Sequence, residues 1–165
     1  MSEEYNVVVI GSGPAAYMAL VYTHTANLFP LFIKEVTEET LNFQGYNKVV
    51  GVLDVKDKQD LLDRARAQID NFKIGVKESY IKEISYDNKW IITTESETIK
   101  ASSIIIDDKL IFLRCFNAVD KSIYKELASK GLFVCGNMKE KYNEAIVLFA
   151  SGCIASFDVK EFLGA

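Results

Sequence analysis

Residues 7–20, "VVVIGSGPAAYMAL", decide the reading of this chain. Val7, Val8, Val9 and Ile10 form an unbroken β-branched run, which predicts a buried strand. Gly11, Ser12 and Gly13 then supply a tight turn. Pro14 stands at the first helical position, where its missing N–H costs nothing, and Ala15 and Ala16 open an apolar helical pattern that stops near Asn27. Strand, glycine turn and helix in this order make a phosphate-binding arrangement: the glycines let the backbone approach a pyrophosphate, the helix points its positive end at it, and Ala16 is small enough to pack on the strand. A second strand over residues 30–35 ends on Glu35, 24 residues past Gly11, near the spacing at which an acid accepts hydrogen bonds from a ribose. The bland alternative is a glycine turn that only packs a helix on a sheet.

Further along the chain, residues 36–55 show no clear period. Leu61, Leu62, Ala65, Ile69 and Phe72 fall at helical spacing and predict an amphipathic helix over 57–72. Short strands follow at 73–76, 80–85, 89–94 and 98–106, with Asp87-Asn88 as a hairpin turn, and residues 79–106 read as a β-meander feeding a buried strand at Ile104 to Ile106. Residues 109–116, "KLIFLRCF", are read as an edge or cover strand that either caps the core or makes an interface. A short helix over 121–129, a buried strand over 131–136 and a long apolar helix over 142–163 complete the pattern.

Composition limits the classes of function. With 165 residues and 49% hydrophobic content the chain has material for one good core, and residues 1–165 are read as one domain. A net charge of −4 with no Lys or Arg cluster above two residues argues against nucleic acid as a partner. The acidic start "MSEEY" does not resemble a secretory signal, and no apolar run is long enough to span a bilayer, so no membrane association is expected. Cys115, Cys135 and Cys153 stand 20 and 18 residues apart, a spacing of neither a disulfide framework nor a zinc site. No metal is expected, and a cytoplasmic location is the simplest compartment. His24 is read as a helix-end residue, Cys153 as a small buried hydrophobe, and Cys115 and Cys135 as structural rather than redox thiols.

Beyond the opening 29 residues (7–35), the segments "LNFQGY" (41–46), "DNFKIGV" (70–76), "GLFVCGN" (131–137) and "YNEAIVLFASGCIASFDVKEFL" (142–163) resemble the low-molecular-weight thioredoxin reductases. The resemblance implies an α/β fold: a single Rossmann-like FAD-binding domain, a parallel sheet flanked by helices with a β-meander. It also implies pairing as a homodimer. The family inserts an NADPH-binding domain carrying a Cys-x-x-Cys pair, yet only 24 residues separate Ile106 from Gly131 here, against the roughly 100 or more a second domain needs. That insert is therefore expected to be absent between about residues 107 and 130.

By the same resemblance the cofactor-binding residues are Gly11, Ser12, Gly13, Pro14, Ala15 and Ala16 at the pyrophosphate, Glu35 at the ribose, Asn42, the Gly136-Asn137 pair and Ala145. Several positions depart from the family. Asp107-Asp108-Lys109 replaces Ala-Thr-Gly and adds two negative charges near a diphosphate, Asn137 replaces the aspartate that binds the ribityl chain, and Asn143-Glu144-Ala145 replaces Arg-Gln-Ala at the flavin's pyrimidine edge. A carboxylate at 144 opposes a reduced flavin if it points inward. These departures leave two readings open. One is a thioredoxin-reductase-like protein that does not perform the NADPH-to-disulfide reaction and acts as a degenerate adenine-nucleotide-binding or protein-interaction module. The other is a single-domain flavoprotein that holds FAD and exchanges electrons with a separate partner.

Overall fold

The β-branched run at the start of the chain becomes the middle of a seven-stranded sheet in a computed structural model that describes residues 2–117 and 120–165. Strand β1 (Glu3–Gly11) lies between β2 (Leu31–Lys34) and β6 (Thr98–Ile106), and β3 (Gly75–Glu78) pairs with β2, all of them parallel. The second half of β6 pairs in parallel with β7 (Leu132–Val134). Its first half pairs antiparallel with β5 (Lys89–Thr94), which pairs with β4 (Ile81–Asp87), forming the meander that the turn residues predict. Asn88, at φ 59°, takes the left-handed conformation that closes the β4–β5 turn and that asparagine tolerates.

Because side chains alternate across a strand, β1 feeds two cores. Val7 and Val9, with Ile105 of β6, face helices α1 (Pro14–Thr25), α2 (Lys58–Asn71) and α5 (Ala145–Leu163). Val8 and Ile10, with Ile104 and Ile106, face Trp90, Ile92 and Ile99 of the meander and the helices α3 (Lys109–Phe116) and α4 (Ile123–Ser129). The α/β, Rossmann-like expectation holds, with helices on both faces of the sheet.

The segment "KLIFLRCF" is α3, a helix and not the strand expected from its apolar run. Asp108 decides this: its side chain accepts hydrogen bonds from the amides of Leu110 (2.9 Å) and Ile111 (3.0 Å) and so caps the helix start. Ile111 and Phe112 are buried on the second core, Asn117 ends the helix at φ 47°, and α3 thereby caps that face of the sheet. Cys115 packs on this second core, whereas Cys135, after β7, is buried in the first. The two thiols lie on opposite faces of the sheet, and all three cysteines are free. His24, near the end of α1, stacks on Phe72 with ring centroids 4.8 Å apart. Among the described residues no helix is long and apolar enough to cross a membrane, and no group of three or more His, Cys, Asp or Glu is placed to hold a metal ion.

Close contact between α1 and α5 is what seats the glycine turn. Gly152 of α5 lies so near the Ala15 carbonyl that a β-carbon there collides with it, and Ser156 donates to the Ala19 carbonyl at 3.2 Å. We expect Gly152→Ala to destabilise the fold by about 1–3 kcal/mol, the usual cost of overpacking. Urea unfolding checks this, and an unchanged midpoint contradicts the helix contact.

Candidate functional site

The glycine turn is built as the sequence indicates. Gly11, at φ 140°, ends β1, Pro14 begins α1, and the first amides of α1 point out of the helix without intrahelical partners. Asp107 answers them. It follows β6 directly, and because β6 pairs with β1 its own amide donates to the Ile10 carbonyl at 3.1 Å. This fixes the side chain over the turn, where its Oδ2 accepts from the amides of Gly13 (3.1 Å) and Ala16 (2.9 Å). The carboxylate stands where such a turn receives a phosphate. It fills the space so closely that a β-carbon on Gly11 would run into it.

A second layer closes over the turn. The Ser12 and Thr40 hydroxyls share a hydrogen bond at 2.5 Å, Thr40 also accepts from the Thr37 amide at 3.0 Å, and Thr37 donates to Asp108 at 2.5 Å. Residues 37–40 are thus tied at one end to the turn and at the other to the cap of α3.

Glu35 follows β2 directly, one residue past the end of the strand it is expected to close, and its carboxylate is engaged by the protein. Arg114 of α3 reaches it with two nitrogens, at 2.6 and 3.1 Å, and the Ile81 amide donates to it at 3.0 Å. The guanidinium also donates to the Ile81 carbonyl at 2.8 Å and stacks 4.0 Å from the centre of the Tyr80 ring. A cavity of about 350 Å³ beside this ion pair is lined by Glu35, Glu78 and Glu95 with Lys34 and Tyr80.

The other candidate residues gather on the opposite flank of the turn. Asn137 donates from Nδ2 to the Asn42 carbonyl at 2.7 Å, and the Ala145 amide at the start of α5 donates to the Gln44 carbonyl at 2.8 Å. Gly136, at φ 69°, donates to Ser151 at 2.8 Å, and a β-carbon on it would lie 3.1 Å from the Asp107 carbonyl oxygen. Glu144 lies over Gly45 of the Asn-Phe-x-Gly motif. The fold therefore brings Gly11 to Ala16, Gly136, Asn137, Asn42 and Ala145 to one neighbourhood and holds Glu35 on the other side with Arg114. Arg114, Thr37 and Thr40 carry no signal in the sequence. Asp107 carries one, as an acid pair where a small-residue turn is expected.

Asp107 is half-buried over the turn, and its electrostatics follow from that packing. Burial and the repulsion of Asp108 push its carboxyl up to about 7, outweighing the amides of Ala16, Gly13 and Ser12, which act to lower it. Burial likewise raises Asp108, pushes the Cys115 thiol up to about 11, and raises the Cys135 thiol well above its ordinary range. Neither thiol is poised to be a nucleophile.

The glycine turn at the carboxyl end of β1, in the parallel part of the sheet, gives the chain a Rossmann-like α/β fold. Thioredoxin reductases are homologues over about 64% of this chain. That of Bacillus subtilis is 32% identical over 119 residues, covering 64% of this chain and 35% of the relative, and that of Streptomyces coelicolor is 30% identical over 117 residues, covering 64% and 34%. The chain thus spans about a third of the length of the curated relatives it matches. The crystal structure of the atypical thioredoxin reductase TRi from Desulfovibrio vulgaris Hildenborough superposes with a TM-score of 0.53 at 26% identity, over 62% of this chain and 35% of that one. Thioredoxin reductase from Giardia duodenalis gives a TM-score of 0.75 over 99% of this chain and 100% of that one at 12% identity, a likeness of fold alone. No protein-family model matches the chain.

The raised Asp107 carboxyl has a consequence for stability. The folded chain holds this proton more tightly than the unfolded chain, whose carboxyl titrates near about 3.9, so the group's stabilising contribution is present below that pH and is lost as pH rises to about 7. We expect Asp107→Asn to flatten the fall in stability between those values in urea titrations. An equal slope in both proteins contradicts the enclosed carboxylate.

Proposed function

We propose that this chain is a thioredoxin-reductase-like nucleotide-binding domain that does not perform the NADPH-to-disulfide reaction and serves as a binding or protein-interaction module. The Asp107 carboxylate on the Gly13 and Ala16 amides carries this reading. FAD needs those amides for its pyrophosphate and an acid at the end of β2 for its ribose. Here the first are taken by the Asp107 carboxyl group and the second is held by Arg114, so the residues as placed do not fit the cofactor. Above about pH 7 the ionised Asp107 repels a pyrophosphate strongly, and below it the protonated carboxyl still fills the space over the turn.

The thiols support the same reading. Disulfide reduction uses a pair of cysteines close enough to attack and resolve a mixed disulfide, whereas Cys115 and Cys135 lie on opposite faces of the sheet. The described residues of the connection from β6 to β7 form α3 and α4, which we take to stand in place of the family's inserted NADPH domain. For a module of this kind a protein partner or a second copy is the natural ligand, and the exposed Ile154 and Phe157 of α5 offer apolar surface for one. Three free thiols suit a reducing compartment.

The flavoprotein reading is favoured by one observation: the amide cradle itself is fully formed. Incubating the purified protein with FAD at pH 8, desalting it and recording the visible spectrum separates the two. We expect no flavin absorption to survive desalting. A yellow protein overturns the proposal and calls for tests of electron transfer with a partner.

A further inference from the structure

A second cavity, of about 190 Å³, opens between α3, α4 and the single 3₁₀ turn of Gly136–Met138. Its walls are Phe112 and Leu113 of α3, Tyr124 of α4 and Met138, and its charged residues are Lys109 and Lys121. Phe112 and Tyr124 meet edge to face, with ring centroids 5.4 Å apart and planes at 86°. Phe112 is buried and also packs on Phe116, with ring centroids 4.8 Å apart, so the aromatic edge that borders the opening is that of the half-buried Tyr124.

The charge of the cavity runs against that of the chain. The protein carries a net charge of −4, yet among the described residues no carboxylate lines this space. Among the described residues neither Lys109 nor Lys121 is in an ion pair, and the Tyr124 hydroxyl has no hydrogen-bond partner. Burial raises the Tyr124 hydroxyl above its ordinary range, so it stays protonated as a donor. Asn137, the remaining lining residue, is held by its bond to the Asn42 carbonyl. Two ammonium groups and one hydroxyl donor, over an aromatic and thioether wall, select a ligand with an apolar ring and a negative group.

Size narrows the class further. A cavity of about 150 Å³ takes one benzene ring, so this one holds a ring and its carboxylate and is too small for a dinucleotide. We propose that the cavity between α3 and α4 binds a small monocyclic aromatic carboxylate, its ring against Phe112, Tyr124 and Met138 and its carboxylate between Lys109 and Lys121. The site stands on α3, the start of α4 and the turn after β7, shares only Asn137 with the candidate cofactor residues, and does not depend on whether the glycine cradle takes a nucleotide.

Salicylate tests this in the full chain, by its fluorescence and by amide shift changes in NMR, with salicylamide as the uncharged control. We expect saturable salicylate binding with shifts centred on 109–113, 124 and 138, and salicylamide at least tenfold weaker. The double variant Lys109→Ala and Lys121→Ala, both changes at exposed positions, loses affinity tenfold or more with an unchanged circular dichroism spectrum. Leu113→Trp, which fills the cavity and leaves both lysines in place, abolishes binding. Equal binding of salicylate and salicylamide, full affinity in either variant, or shifts scattered over the surface overturns the proposal.

Discussion

One carboxylate on two backbone amides organises this molecule. The start of α1 presents unsatisfied N–H groups in a glycine turn that leaves no side chain to cover them, and such a site attracts an anion. Asp107 supplies it from within the chain, at 3.1 Å from the Gly13 nitrogen and 2.9 Å from that of Ala16. The sheet makes this possible, because β6 runs beside β1 and delivers residue 107 to the end of its neighbour. The cost is a half-buried acid beside a second one, and the raised Asp107 carboxyl records it.

The consequences spread along the chain from that point. Asp108, next in sequence, caps α3, and α3 covers the second face of the sheet with Ile111 and Phe112. The same helix carries Arg114 to Glu35, where burial and bidentate geometry make a strong pair. Thr37 and Thr40 tie the following loop to Ser12 and Asp108. Two acids after β6 thus occupy the cradle and begin the helix whose arginine engages the acid of β2. A turn suited to a dinucleotide has become part of the protein's internal bonding.

Much of this architecture is legible in the sequence because its signals are local. Four β-branched residues, a glycine pair and a proline at the first helical position define β1, the turn and α1, and Asp87-Asn88 marks the hairpin of the meander. The run "KLIFLRCF" misleads because eight residues, mostly apolar, suit a buried strand and a short helix alike. Its deciding feature is the capping side chain of Asp108, one residue upstream. At the site the glycines, Glu35 and the unusual acid pair are visible as residues, but their partners are not. Arg114 lies 79 residues from Glu35, and Asp107 lies 94 from Gly13, distances in sequence that only the strand order bridges.

The internal anion is tested most directly by following the amide resonances of Gly13 and Ala16 through a pH titration, in the natural protein and in Asp107→Asn. The account predicts that both resonances move together with a midpoint near 7 in the natural protein and lose that transition in the variant. Resonances that titrate identically in the two proteins, or that do not move at all, would show that the Asp107 carboxylate does not rest on these amides.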